Sequence, residues 1–264
     1  MSTPAIRLDL DGEVARLTVS HPAKLNALNM TMLDDLDRHL ALIESRGNVR
    51  AVVLSGEGER FFSAGADIRA WSALTPDAMA RRWIRTGNRV MTRLASLDAV
   101  VICLLQGDAL GGGLELALSA DLRIAVETAH VGLPESIVGA VPAWLGCARL
   151  QALVGPGRAR QMILTGERID ARRAEAWGIV NEVVPAERLA ARGEELVALV
   201  RSRSSVSIRV AKQVLDAGVD IERQIALHEF AAAVCLAGPD AEEGAAAFKE
   251  KRAPAFRGHP LDDR

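Results

Sequence analysis

The sequence predicts a mixed α/β body followed by a helical tail. Short apolar or alternating runs at residues 6–10, 14–20, 49–54, 100–105, 122–126 and 179–184 have strand length, and stretches of helical periodicity separate most of them. After Pro185 only helical patterns remain. With 264 residues, 49% of them hydrophobic, the chain can bury one large core, or a core plus a smaller appendage.

The first two runs alternate apolar and polar residues around Asp11-Gly12, a favoured hairpin turn. Thr31 is a candidate N-cap for a helix in which Met32, Leu33, Leu36, Leu40 and Ile43 recur at helical spacing until Gly47 stops them. Residues 49–54 then read as a buried strand. The loop Phe61-Phe-Ser-Ala-Gly-Ala-Asp-Ile68 leads to a helix expected over about 76–97, on which Arg81, Arg85, Arg89 and Arg93 lie four apart and share a face. That stripe reads first as a solvated or salt-bridging face, with a phosphate, substrate-carboxylate or RNA contact as the alternative. The strand at 100–105 feeds directly into Gly111-Gly112-Gly113, and from Leu110 to Leu122 the run is apolar nearly all round, as in a helix buried on most sides. A strand at 122–126, short helices at 158–164 and 171–177, and a last strand at 179–184 complete the body. We divide the chain into a core of residues 1–195 and a helical region of residues 196–264. The stripes at 221–236 and 240–252 need a neighbour to cover them.

Charge narrows the classes of function. The 32 basic and 34 acidic side chains leave a formal charge of −2, so the chain has no general electrostatic drive toward nucleic acid or anionic lipid, local patches aside. No run of about 18 apolar residues occurs and no leader pattern opens the chain, so a cytoplasmic protein without membrane attachment is expected. Cys103, Cys147 and Cys235 are odd in number, far apart and set in apolar surroundings, which suits reduced packing thiols. The five histidines form no metal spacing, no Gly-x-Ser-x-Gly elbow exists, and the glycines match neither nucleotide-binding pattern. There is no tyrosine.

Two carboxylates stand out. Glu115, in Ala109-Leu-Gly-Gly-Gly-Leu-Glu-Leu-Ala117, is the only charge of its run before Asp121, and Glu135 follows a proline in Gly132-Leu-Pro-Glu-Ser136. A lone carboxylate costs several kcal/mol to bury unless it is paired or protonated, so a pair placed this way points to proton chemistry.

These stretches, with the Phe61-to-Ile68 loop, resemble the enoyl-CoA hydratase/isomerase (crotonase) family. The resemblance extends from His21-Pro-Ala-Lys-Leu-Asn-Ala-Leu28 through Leu164-Thr-Gly-Glu-Arg-Ile169 and Gly178-Ile-Val180 to Phe248-Lys-Glu-Lys-Arg252. It implies a crotonase-like spiral of ββα units with a C-terminal helical trimerisation region, in a homotrimer or a dimer of trimers. It also implies a coenzyme A thioester as substrate, with no metal or redox cofactor. Glu115 would activate water and Glu135 would exchange the Cα proton. The N–H groups of Ala66 and Gly112 would form an oxyanion hole. Lys24, Leu25, Ala27, Ala64, Asp67 and Ile68 would surround coenzyme A, and Phe248 and Lys251 would reach a neighbouring subunit's coenzyme A, unless they are a packing aromatic and a solvated lysine. The implied reaction is reversible hydration of a 2-enoyl-CoA. A Δ3,Δ2-enoyl-CoA isomerase needs the carboxylate at Glu135 but not the one at Glu115, and a catalytically weak binding protein is the reading from another class. The chain departs from the family after Glu135: Val141-Pro-Ala-Trp-Leu-Gly146 replaces a glycine-rich turn. Ala143 keeps an N–H for the reacting water, while Trp144 either reshapes the acyl end of the pocket or turns into the core.

Overall fold

The computed structural model describes residues 3–218 and 221–256. Strands β1 (Ala5–Asp11) and β2 (Val14–Ser20) form the opening hairpin. Asp11 pairs with Val14, so the turn is Gly12-Glu13, one residue later than expected, and Gly12 supplies its positive φ of 56°. Helix α1 (Met30–Arg46) starts before Thr31: the side chain of Asn29 accepts the Met32 N–H at 3.0 Å and is the cap. Its five periodic apolar residues are all buried, and Gly47 ends it at φ 67°.

From there each turn of the chain repeats a pattern. It lays a strand in a large sheet, a shorter strand in a small sheet, and then helix. Strands β3 (Ala51–Gly56) and β4 (Phe61–Ser63) are followed by α2 (Ile68–Trp71), α3 (Pro76–Ala78), a π-helical segment Met79–Ile84, and α4 (Arg85–Ala95). The single helix expected over 76–97 is therefore three pieces. Across the wider π turn a spacing of four no longer marks one face. The stripe accordingly splits: Arg81 meets Asp77 at 2.6 Å, whereas Arg89 and Arg93, both on α4, share Asp37, Arg93 reaching it at 3.0 Å and, through Nε, Glu44 at 2.9 Å.

The next turn is β5 (Val100–Leu105), β6 (Asp108–Leu110) and α5 (Gly112–Ala117); the third is β7 (Leu122–Val126), β8 (His130–Gly132) and α6 (Gly146–Thr165). Helix α6 is far longer than the expected 158–164 and breaks at Gly155, φ 76°, just before Pro156. Strand β9 (Arg168–Asp170), helix α7 (Ala171–Trp177) and strand β10 (Glu182–Val184) close the body. The large sheet has the order β1-β2-β3-β5-β7-β10, parallel from β2 onward; the small one is β4-β6-β8-β9, with only β9 antiparallel. This is the crotonase-like spiral.

Helices α8 (Leu189–Arg201), α9 (Ser205–Asp216), α10 (Ile221–Ala237) and α11 (Pro239–Glu250) follow. Helix α8 packs on β3, β5 and β7, so residue 195 lies within a helix that covers the large sheet. Lys212 on α9 is buried and donates to Asp121 Oδ2 at 2.7 Å and to the Ala99 carbonyl at 2.8 Å. Helix α10 packs on α9 and α11 and, with α11, leaves Phe230, Leu236 and Phe248 exposed. Among the described residues no helix is long and apolar enough to cross a membrane.

Candidate active site

The parallel strands of the small sheet all deliver their C-terminal ends to one cavity of about 590 Å³. Strand β4 runs out into Ala64-Gly65-Ala66, β6 into Gly111-Gly112 and β8 into Pro134-Glu135, and all of these residues line it.

The first loop is pinned to the segment before α1. Leu28 N–H donates to the Gly65 carbonyl and Asp67 N–H to the Leu28 carbonyl, both at 2.7 Å. Ala66 N–H is left facing the second loop: a Cβ on Gly112 would lie 3.3 Å from it, and a Cβ on Gly65 3.2 Å from the Gly112 nitrogen. Among the described residues neither amide donates to a protein group. The three consecutive glycines answer three close approaches. A Cβ on Gly111 would meet Glu135 Oε1 at 2.9 Å, one on Gly112 the Trp144 ring at 2.6 Å, and one on Gly113 the Ser63 carbonyl at 2.4 Å.

Glu115, on α5, is 3% exposed. Its Oε1 accepts the N–H groups of Trp144 at 2.7 Å and Gly146 at 2.8 Å. For both amides to aim at one oxygen the residue between them turns left-handed, and Leu145 has φ 70°, a conformation that favours glycine. A leucine held there carries a strain of roughly 1–2 kcal/mol. Arg149, one helical turn further along α6, donates to Ser119 Oγ at 2.9 Å and to the Met91 carbonyl at 3.1 Å, while Ser119 Oγ donates to the Glu115 carbonyl at 2.9 Å. Burial raises the Glu115 pKa to about 7, with repulsion from Glu135 adding to it and the two amides and Arg149 opposing it. Glu135 opens a short 3-10 turn, Glu135–Val138, and its Oε2 is buried with no hydrogen-bond partner among the described residues. Burial raises its pKa to about 7 as well.

The cavity thus brings together Glu115, Glu135, Ala66, Gly112, Leu25, Ala64, Ile68, Ala143 and Trp144. Lys24, Ala27 and Asp67 stand behind the lining: Lys24 Nζ meets Asp67 Oδ2 at 2.5 Å, and the Ala27 carbonyl meets His21 Nδ1 at 3.0 Å. Within a single chain Phe248 and Lys251 are not part of the cavity wall, and Phe248 projects from α11. Cys147 is exposed rather than packed. The Trp144 indole is 2% exposed and packs on Trp83 with centroids 5.6 Å apart, yet it lines the cavity. Sequence reasoning missed Trp71, Met79, Trp83 and Ile84 on one flank and Ile137, Val138, Val141 and Arg168 elsewhere on the wall. Met79, Trp83 and Ile84 read in sequence only as the apolar side of a helix, and the π turn that aims them has no local signature.

The sequence model of the enoyl-CoA hydratase/isomerase family matches residues 9–259. The chain belongs to that family. It is 38% identical over 247 residues to a short-chain-enoyl-CoA hydratase of Clostridium acetobutylicum, covering 93% of this chain and 94% of that protein. It is 34% identical over 259 residues to a crotonyl-CoA hydratase of Syntrophomonas wolfei, covering 97% and 99%. The crystal structure of an enoyl-CoA hydratase from Bacillus anthracis superposes with a TM-score of 0.91 at 33% identity, over 96% of this chain and 99% of that one.

Proposed function

We propose that the protein is an enoyl-CoA hydratase that adds water reversibly across the double bond of a 2-enoyl-CoA thioester, with Glu115 and Glu135 as its acid–base pair. The observation that carries this is the asymmetry of the two glutamates. Glu115 holds two amides on one oxygen and has Arg149 nearby, which favours its anion; Glu135 has a buried oxygen with no partner, which favours its acid. One net proton on the pair is the state hydration requires. The thioester oxygen takes the Ala66 and Gly112 amides, which stabilise the charge that builds on it. Glu115 accepts a proton from water as its oxygen bonds to Cβ, and Glu135 delivers its proton to Cα. Water is consumed and the pair ends with the proton count it began with.

An isomerase would need only Glu135, so the elaborate seating of Glu115 favours hydration. The hydratases among the relatives support the same reading. Coenzyme A is proposed to lie along Leu25, Ala64 and Ile68, with the Lys24–Asp67 pair behind them. We further propose a trimer or dimer of trimers, in which residues 196–264 cover a neighbour and carry Phe248 and Lys251 to its coenzyme A.

The test is loss of the conjugated thioester absorbance with enoyl-CoA esters. Glu115→Gln and Glu135→Gln are each expected to lower kcat at least about 100-fold while KM stays within a few-fold, the scale of a general acid or base. The side-chain carbonyl oxygen that Glu115→Gln retains would still accept both amides, so the fold is expected to survive. Unimpaired hydration by Glu115→Gln would overturn the mechanism.

A further inference from the structure

Beyond the two glutamates and the oxyanion loops the cavity is walled mainly by apolar side chains. Trp71, Met79, Trp83 and Ile84 form one part of the wall, the last three supplied by the π-helical segment. Inward growth of the acyl chain is blocked by Trp144. Its indole fills the space between α4 and the oxyanion loop: a Cβ on Gly87 would lie 2.1 Å from Nε1, and one on Gly112 2.6 Å from Cζ3 at the far edge of the ring. The open direction leads to the turn after Glu135. There Ile137, Val138 and Val141 line the cavity and are 70%, 48% and 61% exposed. A crotonyl group carries one methyl beyond Cβ and leaves this rim wet. A longer chain covers it, at a gain of about 0.8 kcal/mol, or roughly fourfold, for each methylene removed from water.

We infer that the preferred substrate carries a medium-length, apolar acyl chain that runs outward past Met79 and Trp83 to the Ile137–Val141 rim, an inference that rests on the hydratase reading above. Trp144, held in place by the absence of a side chain at Gly87, sets the inner limit. The acyl chain is neutral, because apart from the two glutamates the lining carries, among the described residues, one ionisable side chain, Arg168 on β9, and the rim residues are aliphatic.

The experiment uses crotonyl-, hexenoyl-, octenoyl- and decenoyl-CoA, with glutaconyl-CoA as the acidic comparison. From crotonyl to octenoyl, kcat/KM is expected to rise at least about tenfold. A flat or falling series overturns the inference while leaving the hydratase reading intact. A preference for glutaconyl-CoA also overturns it, and gives Arg168 the selecting role. Calorimetry with butyryl- and octanoyl-CoA reads the pocket without turnover. Octanoyl-CoA binding at least about tenfold tighter with no hydration of any ester would uphold the pocket and sink the hydratase reading. Ile137→Ser and Val141→Ser, at exposed positions that folding tolerates, are expected to lower the octenoyl-to-crotonyl ratio severalfold with unchanged sedimentation. An unchanged ratio, or a change confined to the oligomeric state, makes the rim an interface and overturns the inference.

Discussion

Glu115 and Glu135 share a cavity but not an environment, and pH separates the consequences. Both are raised from the ordinary 4.5 to about 7, with burial as the leading cause. Below that value the base is protonated and above it the acid is lost, so kcat/KM is expected to follow a bell centred near pH 7 whose limbs belong to the pair. Stability runs the other way from that of most carboxylates. Because the folded state holds these protons more tightly than the unfolded chain, their contribution is complete below about pH 4.5 and is lost as pH rises toward 7. The double variant Glu115→Gln/Glu135→Gln is therefore expected to have a higher urea midpoint than the parent at pH 8, with the gap closing toward pH 4.5; a constant gap would contradict the assignment. Gly87 offers a second test. Alanine improves a helix interior by up to about 1 kcal/mol, but here its methyl would overlap the Trp144 indole, and overpacking costs about 1–3 kcal/mol. Gly87→Ala is expected to lower the urea midpoint despite its better helix propensity. A rise would mean the indole is not seated against α4.

Single elements carry features that no individual residue reveals. The π-helical segment Met79–Ile84 ends one helical register and starts another, which lets Met79, Trp83 and Ile84 all face the cavity while Arg89 and Arg93 reach Asp37 on α1. Those partly solvated ion pairs are worth about 1 kcal/mol each, so they order the surface of α4 more than they hold it. Helix α9 is different. Its anchor to the large sheet is the buried Lys212 with Asp121, and Asp121 Oδ2 also accepts the Val101 N–H at 2.7 Å. Removing the ammonium leaves a carboxylate still partly satisfied, so Lys212→Met is expected to cost about 2 kcal/mol, below the usual range for a broken buried pair. Amide exchange along α9 is expected to accelerate more than that of β5 or β7; uniform acceleration would show that the helix does not loosen on its own.

At the scale of the whole molecule the question is what the C-terminal helices cover. Helix α8 belongs to the sheet it packs on, and α10 and α11 present Ile225, Phe230, Leu236 and Phe248 outward at 56%, 68%, 76% and 86% exposure. Apolar surface of that extent is expected to be buried between copies. Sedimentation of the intact chain is expected to give a trimer or hexamer, and truncation after Val200 to give aggregation. A well-folded monomer would refute both, together with the proposed reach of Lys251 to a neighbour's coenzyme A.

Much of this was legible in the chain. The strands of the large sheet and the face of α1 follow from periodicity, because burial on a sheet or helix repeats with the geometry of the backbone. Glu115 and Glu135 could be singled out because charge in an apolar, glycine-bounded segment has few uses. Tertiary structure decided what depends on residues distant in sequence. Leu145 is an ordinary leucine until two neighbouring amides must reach the carboxylate of a residue 30 positions earlier, and only then is its φ of 70° required. Trp144 could not be assigned to core or pocket from sequence because its place depends on Gly87 having no side chain, 57 positions away. Local pattern determined which segments fold and which groups carry charge. The packing of one segment against another decided which oxygen is held, which is left free, and where the acyl chain can go.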